Sequence, residues 1–386
     1  MEIKKKKSNK FNLRELGGAF GDWGTLIPFV IGYTAIVGFN PAGLFLCLGV
    51  TNIFLGIKYN LPLPVQPQKT ISSVAIATSW KPDLVISAGF ATGIVWSILG
   101  FTKKVSVIVK KIPIQAVRGI QLGLGFILGW TAINLLSDNF LLGFLSFLII
   151  LLLINDKRIP SALILVFLGV FLMFIFGSIS IIDISFSFSA FVIYLPTLEN
   201  MFWGMIYAGI AQLFLTLTNV MIATVILIRD LFPEKEFNAN SLALNMGIMN
   251  ITTPFLGGIP LCHGSGGLAA QYAFGARTGG SMILEGIMEV FLGLFFSDVL
   301  LVFFLNFPKA ILGSMLLFTA LLLGKMSFKN FNKKIFPITI ISAIICFAIN
   351  ITIGFIIGLL FYFILKKRIN LVNIENLDLK NNVLTD

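Results

Sequence analysis

With 386 residues, 57% of them hydrophobic and only 12% charged, the chain cannot be an ordinary soluble domain, which carries roughly 25% charged residues. The net charge of +11 does not point to nucleic acid, because the basic residues gather at the edges of apolar runs. Lys4 to Lys7, Lys10 and Arg14 precede the first run, and Lys366, Lys367 and Arg368 follow the last. Such clusters report membrane topology and contact with anionic lipid. Cys47, Cys262 and Cys346 lie in apolar or motif sequence and suggest no disulfide framework. The lysine-rich start lacks a small-residue cleavage site, so the first apolar run is expected to be retained.

A membrane-spanning helix needs roughly 20 apolar residues, with a range of about 17–25. On that rule the first half of the chain holds spans near 19–37, 41–57, 84–102, 114–136, 139–154 and 160–177. The second half holds spans near 201–228, 241–257, 280–296, 308–324, 335–349 and 351–365. Two further segments are broken. Residues 61–80 open with Leu61-Pro62-Leu63-Pro64-Val65-Gln66-Pro67-Gln68-Lys69-Thr70, and residues 260–275 follow Gly257-Gly258-Ile259-Pro260 and contain the only histidine. Each reads as a short extended stretch followed by a half-length helix.

Counting both broken segments gives an all-α membrane protein of about fourteen crossings with both termini cytoplasmic. Lys58, Lys103, Lys104, Lys110, Lys111, Lys157, Arg158, Arg229, Lys235, Arg277, Lys325, Lys329, Lys333 and Lys334 then fall on inner loops, and only Lys81 and Lys309 fall outside. The halves also echo each other: Asp22 precedes Gln66 by the same interval as Asn219 precedes His263, and Pro113-Ile114-Gln115-Ala116 is matched by Pro308-Lys309-Ala310. Seven crossings per half is an odd number, so the second half is expected to be inverted. Irregular backbone at membrane depth is tolerated only where it is buried or lines a cavity. Paired breaks in two halves point to a carrier with its site between them.

Five motifs in order, from Leu16 to Arg277, resemble molybdate transporters related to the SulP sulfate permeases. They are Gly17-Gly18-Ala19-Phe20-Gly21-Asp22-Trp23-Gly24-Thr25, Pro64-Val65-Gln66-Pro67-Gln68-Lys69, Val117-Arg118-Gly119-Ile120-Gln121-Leu122, Asp230-Leu231-Phe232-Pro233-Glu234-Lys235-Glu236 and Cys262-His263-Gly264-Ser265-Gly266-Gly267-Leu268-Ala269-Ala270-Gln271-Tyr272. The resemblance implies a seven-plus-seven inverted repeat with core, gate and a high-affinity oxyanion site. The core would take 19–112 and 200–300, the gate 113–199 and 301–365, and the cytoplasmic ends 1–18 and 366–386. Ala211 stands where the family usually has proline before the glutamine, Gln212. The sulfate permeases carry a regulatory domain after the last span, and the short stretch from Lys366 to Asp386 favours the molybdate branch. Beyond Thr278 only hydropathy matches, so Glu285 and Glu289 inherit no family role.

A helix N-terminus, with unpaired N–H groups and about half a positive charge, suits an oxyanion. The two half-helices are expected to begin near the midplane facing each other. Gly264, Ser265, Gly266 and Gly267 admit close approach, and Ser265 and Thr70 can donate hydroxyl hydrogen bonds; the alternative is that these glycines serve helix packing alone. Gln66, Gln68, Gln212, Asn219 and His263 complete the expected lining. Gln212, Thr216 and Asn219 share one helix face, and Asp22 and Thr25 another.

Lys69 either attracts the anion, balances Asp22 or reaches to the inner surface. A carboxylate beside a dianion repels it, so Asp22 pairs with Lys69, binds a proton or lies off the site. Arg118 reads as a structural ion pair, and Gln271 as support. Glu285 and Glu289, one turn apart, either carry protons or pair with Arg277.

Cys262-His263 is too few ligands for zinc, and no metal or cofactor is expected. No P-loop is present, and no set of nucleophile, base and orienting group suggests an enzyme. The reading is secondary import of molybdate, coupled to protons, at the plasma membrane, by an elevator-like movement; a homodimer is compatible with it. Sulfate or tungstate carriage by the same architecture and a passive anion channel are the alternatives.

Overall fold

The computed structural model describes residues 8–109, 113–153, 161–177, 188, 190–235, 237–328 and 336–368. The expected inner-loop cations Lys110, Lys111, Lys157, Arg158, Lys329, Lys333 and Lys334, and both chain ends, lie outside them.

Local chemistry sets most boundaries. Helix α1 (Leu13–Ala19) starts at Asn12, whose side chain accepts from the amides of Arg14 and Glu15; a short turn at 20–22 then leads into α2 (Trp23–Gly32). The pair bends by 41°; the expected span 19–37 holds α2 and the π turn Tyr33–Val37 that continues it, while α1 lies before that span and Asp22 sits at the junction. Asn40 caps α3 (Pro41–Tyr59), which begins on proline and ends at left-handed Asn60, the favoured chemistry of each end.

Residues before proline avoid the helical region, so Leu61-Pro62-Leu63-Pro64 runs extended into β1 (Val65–Pro67). A nine-residue helix α4 (Lys69–Ala77) follows. Next come α5 (Pro82–Thr102), the short α6 (Val105–Val109), α7 (Ile114–Leu136), α8 (Phe140–Leu153) and α9 (Ser161–Ile175).

The second half opens with a long helix made of three α-helical pieces, α10 (Leu198–Gly204), α11 (Ile210–Thr216) and α12 (Ala223–Leu231). Wider π turns at Met205–Gly209 and Leu217–Ile222 separate them. Helix α13 (Ala239–Thr252) runs through a 3₁₀ turn to Gly257, whose φ of +66° suits glycine. Strand β2 (Leu261–His263) and the nine-residue α14 (Ser265–Ala273) then repeat the β1–α4 pattern in the same lengths. The chain ends with α15 (Gly280–Phe295), α16 (Ser297–Leu305), α17 (Lys309–Ser327), α18 (Phe336–Ala348) and α19 (Ile351–Arg368).

The two strands pair antiparallel, Val65 with His263, Gln66 with Cys262 and Pro67 with Leu261. Both broken segments therefore meet at one place in the fold. Around them α3 packs on α15 and α5 on α13; a second group packs α7 on α17 and α18, with α8 against α17 and α18 against α19. Close approach is needed where α3 meets α15. A Cβ at Gly49 would lie 2.5 Å from the Gly286 carbonyl oxygen, and one at Gly286 equally near that of Gly49. Small residues let helices in a membrane approach in this way. Gly49→Leu should consequently destabilise the fold by at least about 2 kcal/mol, read as a lower melting temperature in detergent and less protein in the membrane; an unchanged melting temperature would remove this contact from the account.

Among the described residues five helices are long and apolar enough to span a bilayer, and seven when each bent pair counts once. The remaining apolar helices, such as α8 and α18, are shorter, so length alone does not reach the expected fourteen. Residues 297–305 form α16, turned 85° from α15, where the sequence reading placed no helix. The three cysteines are buried free thiols. The molecule is an integral membrane protein of packed helices around one small buried two-stranded ribbon.

Candidate functional site

Strand alternation sorts the expected residues. Gln66 and Cys262 lie opposite each other, so their side chains share one face of the ribbon, and Val65 and His263 share the other. On the first face the Gln66 carboxamide nitrogen donates to Thr25 Oγ1 at 2.8 Å and to Asp22 Oδ2 at 3.3 Å. Cys262 Sγ lies 3.9 Å from Thr216 Oγ1 on α11. Asp22 and Thr25 at the start of α2 and Thr216 of α11 thus reach the break.

The starts of α4 and α14 flank this ribbon but differ. At α4 the Thr70 amide donates to Gln212 Oε1 at 2.8 Å, and Gln212 Nε2 donates to Thr216 Oγ1 at 2.8 Å. Gln212 thus lies at the start of α4 with both polar ends engaged. At α14 the amides of Ser265, Gly266 and Gly267 have no partner among the described residues, and no side chain caps the helix. Gly264 and Ser265 are half-buried, Gly266 is exposed, and a Cβ on Gly266 would meet nothing within 4 Å. Gly267 instead packs against Pro64 and Gln66. Open space therefore faces the N-terminus of α14.

Other expected residues serve the frame. Gln68 is fully buried and bonds Thr92 Oγ1 and the Leu261 carbonyl. His263, on the far face, lies beside the carbonyls of Leu63 and Pro64, and neither ring nitrogen makes a well-formed hydrogen bond. Thr70 Oγ1 is buried without a partner. Lys69, half-buried at the start of α4, lies beside Cys262. It is not balanced by Asp22, whose oxygens are taken by Gln66 and Gln271. Arg118 is buried in the second turn of α7. Asn219 falls in the second π turn, and its side chain lies outside the described residues.

The acids form a network sequence reading had not joined. Gln271 Nε2 donates to Asp22 Oδ1 at 3.3 Å and to Glu285 Oε2 at 2.7 Å, while Ser281 donates to Gln271 Oε1. Trp23 Nε1 donates to Glu285 Oε1, and Asn52 Nδ2 to Glu289 Oε2. The alternative pairing of either glutamate with Arg277 does not occur. That guanidinium bonds the carbonyls of Tyr272 and Ala276 and stacks on the Tyr272 ring, because it precedes α15 while both glutamates point into the helix pack.

Two asparagines outside the sequence motifs hold the ribbon. Asn52 accepts from the Val65 amide, thirteen residues on, and Asn250 brackets Leu261 through its N–H and carbonyl, eleven residues on. The sequence signal was an asparagine near the end of the apolar helix before each break. Each carboxamide satisfies a strand edge that the two-stranded ribbon leaves open.

Comparisons with known proteins give the family and the fold. The family described as "Molybdate transporter of MFS superfamily" matches residues 14–128 and 204–323. Molybdate transporter 2 of Arabidopsis thaliana is 33% identical over 92% of this chain and 87% of its own length. Molybdate transporter 1 of the same plant is 31% identical over 92% and 89%. Among solved structures, the transmembrane domain of a cyanobacterial bicarbonate transporter, BicA, superposes with a TM-score of 0.64 at 16% identity, covering 92% of this chain and all of that one. Murine SLC26A9 in its inward-facing state gives 0.71 at 13% identity, covering 94% and 69%. The fold is thus that of the SulP-related transporters, and the sequence match across nearly the whole chain makes this protein a member of the molybdate transporter family.

Proposed function

We propose that the protein imports molybdate across the plasma membrane, with both termini cytoplasmic, as a proton-coupled secondary carrier. The observation that carries this reading is the α14 N-terminus: three unbonded amides, a serine hydroxyl and open space in front of Gly266. Backbone donors at a helix start suit a tetrahedral dianion. The Ser265, Gly266 and Gly267 amides, with the Ser265 and Thr70 hydroxyls, hold the anion, Lys69 adds positive field, and Gln66 fixes the rim. Arabidopsis relatives named as molybdate transporters support that substrate over sulfate or tungstate.

The two β–helix segments of equal length, each following a helix that contacts its strand through asparagine, support a seven-plus-seven inverted repeat. In it the group around α3, α5, α13 and α15 is the core that carries the anion, and the group around α7, α17, α18 and α19 is the gate. A crevice of about 440 Å³, lined by Val74, Trp80, Trp130, Tyr207, Phe347 and Asn350, lies where α4 and the Met205–Gly209 turn face α7 and α18. It is mainly apolar and lies at the C-terminal half of α4, away from the helix start, so we assign it to the sliding surface rather than to the anion. The SLC26-like fold is compatible with a homodimer.

The test is uptake of labelled molybdate into proteoliposomes with tungstate and sulfate as competitors. Accumulation above the outside concentration, displaced best by molybdate or tungstate, is expected. Flux that only equilibrates favours the channel, and stronger competition by sulfate moves the substrate. A cysteine pair bridging α4 and α7 should block uptake when crosslinked and restore it on reduction; full uptake in the crosslinked protein would rule out sliding.

A further inference from the structure

The two half-helix starts share a ribbon and a length, yet at α14 the amides of the first three residues have no partner among the described residues, whereas at α4 the Thr70 amide is taken by a side chain. At α4 the closing group is Gln212. The Thr70 amide can only donate, so the atom it meets at 2.8 Å must be the carboxamide oxygen. The nitrogen end is held by Thr216 at 2.8 Å, and the residue is 2% exposed. Gln212 thus places one oxygen where an oxygen of a bound anion would sit. It leaves the neighbouring Thr70 hydroxyl, 0% exposed, without any partner.

The helix that carries Gln212 is built unlike its neighbours. Helix α11 is seven residues long, with a π turn at each end, and π turns inside helices mark functional sites and local shifts of register. It touches α4 and α5 and also α7 and α19, so it contacts both packing groups.

We propose that Gln212 stands in for the substrate anion at the start of α4 while the carrier is empty, and is displaced when the anion arrives. The inference rests on the carrier reading above. A carrier that releases its anion must return with the site empty. Bare amides in a low-dielectric interior then destabilise the return, because a buried donor without a partner keeps its full desolvation cost. A carboxamide oxygen satisfies the donor for that step. Being neutral, it is a weaker acceptor than an oxyanion, whose charge-assisted bonds are roughly twice as strong, so it gives way on loading. Thr216 holds the displaced end, since a hydroxyl can accept or donate. The hydroxyl of Thr70 is the donor reserved for the anion alone.

The test separates net transport from exchange. Gln212→Met keeps length and removes the oxygen. Proteoliposomes containing the full-length variant are measured for net uptake into empty vesicles and for exchange against internal unlabelled molybdate, which bypasses the empty return. The ratio of net uptake to exchange should fall about tenfold, the scale of losing one helix cap, while KM for exchange stays level or drops. Parallel loss of both fluxes with a raised KM would make Gln212 an ordinary ligand and overturn the proposal, as would an unchanged ratio. If Gln212→Met does not reach the membrane, Thr216→Val, which loosens the same carboxamide, should give the same split at about threefold, and its absence likewise overturns the idea. Wild-type protein without any exchange would instead strike the carrier reading itself.

Discussion

Gly266→Leu should cut molybdate uptake by about 100-fold or more while the protein reaches the membrane in normal amount. The geometry makes this clean. A Cβ at Gly266 meets nothing within 4 Å, and leucine favours a helix more than glycine does, so the fold gains nothing to resist. The new side chain would instead fill the space in front of the Ser265, Gly266 and Gly267 amides. Losing one or two hydrogen bonds to a charged ligand, about 1.5–3 kcal/mol each, gives that order of loss. Gly266→Ala should fall between. Uptake at normal affinity in Gly266→Leu would move the anion away from α14. The contrast is Gly267, whose Cβ would press on Pro64 at 3.0 Å: there a substitution disturbs packing as well as binding, and lost activity would say little.

Acidifying the outside should accelerate uptake at fixed membrane potential, and Asp22→Asn should remove that acceleration. A dianion moving into a negative cell is opposed by about 4.6 kcal/mol per 100 mV, twice the cost per charge, so accumulation needs a coupled cation. Two protons make transport neutral, and three let the potential drive it. Asp22 is the acid that the ribbon reaches: Gln66 joins it to β1, and Gln271, on α14, joins it to Glu285. The carboxylates of Asp22 and Glu285 accept from the same amide nitrogen, an arrangement in which a proton on either relieves repulsion between them. The other titratable groups around them are Glu289 and Cys47, with Glu15 held by the Arg277 and Thr278 amides. Glu285→Gln should lose the acceleration too. Wild-type uptake indifferent to the pH gradient would end proton coupling, whereas a gradient response surviving in both variants would shift the proton elsewhere.

Much of this was legible from residue types. Composition set the membrane class. The prolines of 61–67 and the Gly257-Gly258-Ile259-Pro260 run announced the two breaks, because clustered prolines and paired glycines disfavour a continuous helix, and each break proved to be a three-residue strand and a nine-residue helix. The stripes carrying Asp22, Thr25, Gln212 and Thr216 pointed at the ribbon because helical periodicity fixes which residues share a face. Local rules stop at the edge of each element, however. They could not show that β1 pairs with β2, nor that this pairing turns Gln66 toward Asp22 and His263 away from it, since register is set by which partners meet. Nor could they show which helix start would remain open. Asp22 was equally free to meet Lys69 in sequence, and Glu285 to meet Arg277. What decided was which helices lie side by side: α14 brings Gln271 between Asp22 and Glu285, α3 brings Asn52 to Glu289, and α11 brings Gln212 onto the amide of Thr70.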